Sequence, residues 1–313
     1  MITQRSHMTR GYATALVTAL LLSTTAPFIR YLTQTYDLPP LVLAFWRDVF
    51  GTLSLLLILG LFRPSLARAD RRLLLFLLAF GLTLAVFNCL WTLSVAMNGA
   101  AVSTVLAYSS AAFTALLGHW LLKEDLGWAK LLAVLASLAG CVLVSGAYLP
   151  SAWRANLLGI LTGAFSGLLY AIYTLMGRTA SQRGLNPWTS LLYAFGFASL
   201  FLLLLNLLAG RFLPGAASRP ADFFWLGNSL AGWGILFLLA AGPTLAGYGM
   251  YNVSLSYLPS SVANLIMTLE PAFTALIAYA FLAERLTWVQ IAGSLIIIGG
   301  VVFLRIYEGR QAL

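Results

Sequence analysis

Ten apolar runs follow one another along this chain, each about as long as a bilayer is thick, and no water-soluble fold accommodates that pattern. They cover residues 11–32, 39–61, 73–97, 100–122, 126–148, 156–177, 187–210, 230–255, 260–282 and 288–306. About 20 residues rising about 1.5 Å each cross the roughly 30 Å of a hydrocarbon core. Pro39, Pro187 and Pro259 stand at run starts, where a missing N–H costs little. Of the 313 residues 61% are hydrophobic and 9% are charged, against roughly 25% charged in an ordinary soluble domain. Too few charges remain to cover a water-facing globule, and there is far too much apolar mass for disorder. The expected fold class is an all-α polytopic membrane protein with ten transmembrane helices.

The net charge of +9 would point to nucleic acid in a soluble protein, but here the basic residues punctuate the runs and read as topology signals. Arg5, Arg10, Arg63, Arg68, Arg71, Arg72, Lys123, Lys130, Arg178, Arg183, Arg305 and Arg310 fall on one side of the membrane. Arg30, Arg154, Arg211, Arg219 and Arg285 fall on the other, and Arg47 lies within a run. The positive-inside rule then puts both termini in the cytoplasm of a cell (inner or plasma) membrane protein. A cleavable signal peptide is the competing reading of the first run, with Arg5 and Arg10 as its basic start and small residues at 23–26. The run continues past those residues, and it has a counterpart later in the chain. Cys89 and Cys141 sit inside apolar runs and read as packing residues, and His7 and His119 lie apart with no metal-ligating cluster.

The chain repeats itself. At an offset of 148, Gly11 meets Gly159, Arg30 meets Arg178, Gln34 meets Gln182 and Pro39 meets Pro187. At an offset of 160, Ala112-Phe113-Thr114-Ala115-Leu116 meets Ala272-Phe273-Thr274-Ala275-Leu276, and Glu124 and Trp128 meet Glu284 and Trp288. The rise in offset falls around the longest connection, 211–229. The expected units are 1–149 and 150–313. Each holds five helices, and an odd number inverts the second relative to the first. Inverted repeats are a signature of secondary transporters that bind substrate near the midplane and rock one repeat against the other.

With Leu269-Glu270-Pro271-Ala272, Ala283-Glu284-Arg285-Leu286, Gln290-Ile291-Ala292-Gly293 and Gly299-Gly300 in the second half, and Glu124-Asp125-Leu126 and Phe45-Trp46-Arg47 in the first, the chain resembles the EamA-type branch of the drug/metabolite transporter superfamily over its whole length. The resemblance implies a carrier of small metabolites, often an exporter, with a central cavity lined by helices 1, 3, 4, 6, 8 and 9. One departure is that Ser110-Ala111 stands where the family often keeps a proline, so helix 4 is expected to be less kinked than usual.

Glu270 is the acid placed near the membrane centre. An ionisable group there costs at least ~2–3 kcal/mol and is a functional candidate by default. A substrate-cation or proton site, and a carboxyl tying helix 9 to a neighbour, both fit it. Arg47 and Asp48 are adjacent on a helix and point about 100° apart, so each is expected to find a partner elsewhere or to snorkel outward. Recognition of an anion or carboxylate by Arg47 is the functional alternative. Asn88, Trp91, Tyr108, Tyr170, Tyr173, Tyr248, Tyr251, Asn252 and Asn264 complete the candidate substrate site, because aromatics with hydroxyls and amides suit rings, amines and amino acids. Helix packing and interfacial belts are the structural reading of the same residues. Trp91 and Tyr251 occupy equivalent places and are expected to form a cage. Pro243, Gly247 and Gly249 mark a bending gate in helix 8, Glu124 and Glu284 read as caps or as partners of Arg and Lys at loop ends, and Phe223-Phe224-Trp225 reads as an interfacial anchor.

The leading functional reading is a secondary transporter, in particular an exporter, of small organic metabolites such as amino acids or amines. No phosphate-binding G-x-x-x-x-G-K-[ST] loop occurs, so ATP-driven transport by this chain alone is out. A lipid flippase and an intramembrane enzyme are the alternatives. The enzyme reading lacks a His–Asp or H-E-x-x-H constellation, and no cofactor is expected. Expected partners are a small-molecule substrate, the bilayer and protons, with no nucleic acid. A monomer and a homodimer both fit.

Overall fold

The computed structural model describes residues 2–146, 148–210, 212–282, 285 and 287–311. These residues form ten helices and, among them, no strand. Helix α1 is in two pieces, Ile2–Leu22 and Thr25–Thr35; α2 is Pro40–Phe62 and α3 is Leu74–Asn98. Helix α4 is again in two pieces, Ala100–Ala107 and Ser110–Leu122, followed by α5 (Trp128–Ser145), α6 (Pro150–Gln182) and α7 (Pro187–Ala209). Helix α8 comprises Leu230–Leu239 and Leu245–Tyr257 around a wide turn at Ala240–Thr244; α9 comprises Ser260–Met267 and Glu270–Leu282; α10 is Trp288–Gln311. Eight of the ten are long and apolar enough to cross a membrane, and α5 and α10 carry the shorter apolar stretches Trp128–Val144 and Trp288–Leu304.

Local chemistry sets the boundaries. Pro40 and Pro187 open α2 and α7 at positions that need no N–H donor, and the Asn186 side chain accepts from Trp188 N at 2.9 Å. Gly99, at φ 85°, turns the chain directly from α3 into α4 while its N–H closes on the Val95 carbonyl at 3.0 Å. In α6 the backbone of Asn156 is non-helical (φ −150°, ψ 55°), so the membrane-length part of α6 starts there, as the sequence suggests. Helix α1, by contrast, begins at Ile2, nine residues before the apolar run.

The helix packing exchanges counterparts between the halves. Helix α3 lies against α6 and α7, and α8 lies against α1 and α2; α2 meets α7, α5 meets α10, and α4 crosses α9. The matched arginines do matched work. Arg30 Nη1 donates to the Ala96 carbonyl in the last turn of α3 (2.6 Å), and Arg178 Nη1 donates to the Leu255 carbonyl in the last turn of α8 (2.7 Å). A cation at a helix C-terminus meets both an orphan carbonyl and the negative end of the macrodipole, worth up to ~1 kcal/mol each. Small residues allow the closest approaches. A Cβ added to Gly293 would stand 2.9 Å from the Gly140 carbonyl oxygen, which fixes the α5–α10 contact. The segment before α8 folds back onto the bundle: Phe223 is buried against Phe45, and its carbonyl accepts from Trp46 Nε1 at 2.6 Å. Phe224 and Trp225 stay exposed, so only part of that aromatic cluster is free to act as an anchor.

Candidate functional site

Four helices break near their middles, each for an identifiable reason. Ser23 Oγ and Thr24 Oγ1 donate to the Leu20 and Leu21 carbonyls and pull α1 out of regular geometry. Pro27 cannot supply the N–H that the Ser23 carbonyl would take, and Thr274 Oγ1 of α9 donates to it instead, at 3.1 Å. In α8 the break centres on Gly242 (φ −84°, ψ −107°) and Pro243, so the expected bend is at the proline, while Gly247 and Gly249 lie in the regular helix that follows. In α9, Thr268 and Leu269 form three-residue turns to Leu265 and Ile266 just ahead of Glu270-Pro271.

Helix α4 corrects the expectation of a straighter helix. It breaks at Tyr108–Ser109 without a proline, through the same tight turns: Ser109 N to Leu106 O at 3.1 Å, and Ala111 N to Tyr108 O at 3.1 Å. The break is sustained across the interface. Gly167 of α6 brings its backbone so close that an added Cβ would meet the Ala107 carbonyl oxygen at 3.0 Å, and Ser110 Oγ donates to Asn264 Oδ1 of α9 at 3.1 Å.

The two breaks in α4 and α9 face each other. Glu270, the first residue of the second piece of α9 and 4% exposed, accepts a hydrogen bond from the Tyr108 hydroxyl. Both open on a narrow cavity of about 20 Å³, room for roughly one water, whose wall comes from α1, α3, α4, α6, α8 and α9, the six helices that the resemblance implies. Its principal side chains are Phe87, Trp91, Tyr108, Tyr170, Tyr248 and Glu270. The rings are in mutual contact: Phe87 stacks on Trp91 (6.0 Å) and Tyr170 (5.2 Å), and Tyr108 meets Tyr170 edge-on (5.8 Å). One acid, an aromatic box and Thr25 offer charge, cation–π contact and hydroxyl bonding to a cationic or ring-bearing solute once the helices part enough to admit it.

Other sequence candidates lie one layer out. Tyr251 is fully buried, and its hydroxyl pairs with Thr174 Oγ1 (2.9 Å) and accepts from Asn264 Nδ2 (3.4 Å). Ring contacts run from Trp91 through Phe87 and Tyr170 to Tyr251, and of the two residues Trp91 lines the cavity while Tyr251 stands behind Tyr170. Asn252 Nδ2 donates to the Tyr173 hydroxyl (3.1 Å), and Asn88 Nδ2 donates to both carboxylate oxygens of Asp48 (2.9 and 2.7 Å). Arg47 and Asp48 also depart from expectation. They neither snorkel nor separate: both are fully buried, with Arg47 Nε 3.7 Å from Asp48 Oδ1. Phe87 was not singled out in the sequence, because an apolar residue in an apolar run gives no signal. Thr25 had one, the hydroxyl cluster ahead of Pro27.

Glu124, beyond the end of α4, reaches across to α9. Oε1 accepts from Ser260 N (2.7 Å) and Oγ (2.6 Å), and Oε2 accepts from Ser261 N (3.1 Å) and Oγ (2.6 Å). Burial alone would raise its pKa; the four donors outweigh burial and hold the carboxyl below the ordinary glutamate value. It caps another helix and not a loop-end cation. Its counterpart Glu284 lies outside the described residues.

A family pattern matches the chain twice, over residues 9–146 and 157–306. The chain belongs to the EamA-like transporter family. A transporter of Archaeoglobus fulgidus, otherwise uncharacterized, is 26% identical over 298 residues, covering 94% of this chain and 96% of its own. The threonine/homoserine exporter RhtA of Salmonella typhimurium is 25% identical over 249 residues, covering 76% of this chain and 74% of its own. One crystal structure shares the fold, with a TM-score of 0.69 at 16% identity over 98% of this chain and 99% of that one. This EamA-like chain is therefore a multi-pass membrane transporter of small molecules.

Proposed function

We propose that this EamA-like transporter is a secondary exporter of small amphiphilic metabolites, amino acids or amines, working by alternating access through the Glu270 cavity. The observation that carries the reading is Glu270 itself, a buried carboxyl at a helix break, tied to a tyrosine at the facing break and open to an aromatic-walled space. A carboxylate in such a place is neutralised at low cost by a proton or by a cationic group, so the two compete for it. Exchange of one for the other couples substrate movement to the proton gradient. The five-helix units, 1–149 and 150–313, are the bodies that move, and the α4–α9 crossing is where they hinge. Both termini lie in the cytoplasm. The exporter name of the Salmonella relative supports the amino-acid side of this reading.

The flippase alternative has one observation in its favour. A groove lined by Tyr12, Leu16, Val262, Ile266 and Leu304 lies between α1, α9 and α10. It shares no lining residue with the Glu270 cavity and, among the described residues, holds no charged side chain. The test uses proteoliposomes under an imposed pH gradient, offered radiolabelled L-threonine and L-phenylalanine and, separately, a fluorescent phospholipid. Gradient-driven amino-acid flux, absent in a monodisperse Glu270→Gln variant, is the expected result. Undiminished gradient-driven flux by Glu270→Gln leaves Glu270 as a packing residue, and phospholipid movement alone favours the flippase.

A further inference from the structure

Arg47 is the buried charge with the fewest hydrogen-bond partners among the described residues. Its side chain is 1% exposed, yet Nε, Nη1 and Nη2 have no hydrogen-bond partner among the described residues. An arginine offers five N–H donors, and leaving them unmet in a buried site is costly. The nearby Asp48 does not satisfy them. At 3.7 Å from Nε, its Oδ1 is close enough to balance the charge and too far to accept a hydrogen bond. Both oxygens of Asp48 are instead held by Asn88 Nδ2 on α3. The guanidinium is thus neutralised in charge and open in hydrogen bonding.

Its position gives that openness a use. The guanidinium carbon lies over the Trp91 ring, 5.6 Å from the centroid, and the same ring walls the Glu270 cavity. A guanidinium lying over an indole keeps its in-plane N–H fork available, which is the geometry that grips a carboxylate with two parallel bonds. Two further unmet groups stand on the α3 side, Asn88 Oδ1 and Thr92 Oγ1. The second repeat does not copy this charge. At the offset of 148 the counterpart of Arg47 is Phe195, fully buried against Tyr248 at 5.6 Å. At the offset of 160 the counterpart of Glu270 is Ser110. Asp48 has Gly196 as its counterpart, so the first half contributes the unmatched pair Arg47 and Asp48 and the second contributes Glu270; Trp91 lies under Arg47 and lines the same cavity as Glu270.

We infer that Arg47 is a carboxylate-binding site reached from the Glu270 cavity past Trp91, and that it selects acid-bearing substrates such as amino acids over the corresponding simple amines. The inference rests on the transporter reading above and narrows its substrate class. It predicts that the carboxylate of an incoming solute takes the Nη donors while Asp48 stays with Asn88.

Three probes with the same ring separate the contributions: L-phenylalanine, 2-phenylethylamine without the carboxylate, and 3-phenylpropanoate without the ammonium. Each is titrated against purified protein by thermal shift and, in proteoliposomes, by flux. Wild type is expected to prefer L-phenylalanine to 2-phenylethylamine. Arg47→Met should weaken L-phenylalanine about ten- to hundredfold while changing 2-phenylethylamine less than about twofold. Arg47→Met with Asp48→Asn removes the charges together and keeps the test open if the single variant fails to fold. Unchanged discrimination in either folded variant overturns the inference, as does failure of both variants to fold, which makes Arg47 a structural ion pair. A wild type that moves 2-phenylethylamine but ignores L-phenylalanine overturns the inference alone. A wild type that responds to none of the three overturns the amine and amino-acid reading together with it.

Discussion

Thr274 donates its hydroxyl to the carbonyl of Ser23, the one backbone acceptor that Pro27 leaves without its helical partner. A break in α1 is thereby held by a residue of α9, on the opposite half of the chain and next to the Glu270 turn. The α1 kink and the α9 position are thus one mechanical feature.

The first prediction concerns this bond. Thr274→Val keeps the shape and removes the donor, leaving a buried carbonyl unmet at a cost of about 1–3 kcal/mol. The midpoint of thermal unfolding in detergent should fall, and Thr274→Ser should restore most of it. A Val variant as stable as wild type would remove this bond from the account of the α1 break.

Gly167 carries the second. Its Cα faces Ser109 Oγ and the Ala107 carbonyl, and no Cβ fits there without moving α6 away from the α4 break. Gly167→Ala should cost about 1–3 kcal/mol as an overpacked interface. Tyr170 lies one turn later and lines the cavity, so transport should fall by more than stability explains. Comparing flux per folded molecule with the unfolding midpoint checks both parts.

Glu124 gives a prediction with a pH sign. Its folded-state pKa is depressed by the Ser260 and Ser261 donors, so its contribution to stability is full above the unfolded-state value, about 4.3, and is lost as pH falls through the lower folded value. Wild type should lose thermal stability below about pH 4, and Glu124→Gln should lose less over the same interval. Identical acid limbs for the two proteins would show that the cross-helix cap is energetically idle.

Topology supplies the fourth. A single cysteine at Arg219, in a background with Cys89 and Cys141 replaced by serine, should react with a membrane-impermeant maleimide in intact cells. Labelling that appears only after permeabilisation reverses the orientation and places both termini outside.

The ten helices were legible because 20-residue hydropathy is a long-range signal that short-range chemistry does not disturb. Glu270 and Trp91 were legible as candidates because a charge or an amphipathic ring stands out in an apolar run. The α4 break was not. Proline is the readable cause of a kink, and here the cause is a glycine on another helix and a serine–asparagine bond across to α9, contacts that exist only once the chain is folded. Arg47 and Asp48 misled for a related reason. Helical spacing sends the two side chains about 100° apart, and a long guanidinium stem bends back over that angle when Trp91 gives it a surface to lie on.

The last prediction separates two residues that the repeat treats as equals. Trp91 walls the cavity, whereas Tyr251 is bonded to Thr174 and Asn264 behind Tyr170. Trp91→Ala removes a cation–π face from the solute, worth ~0.5–2 kcal/mol, and takes away the surface under Arg47. Its KM for L-phenylalanine should rise several-fold in a folded protein. Tyr251→Phe keeps the ring and removes only the hydroxyl, so the loss should be about 1 kcal/mol of stability with KM near wild type. Equal increases in KM for the two variants would mean that Tyr251 reaches the solute in another state of the transport cycle, with the aromatic chain Trp91–Phe87–Tyr170–Tyr251 rearranging as the halves rock. Measuring KM from each side of the membrane separately identifies which state that is.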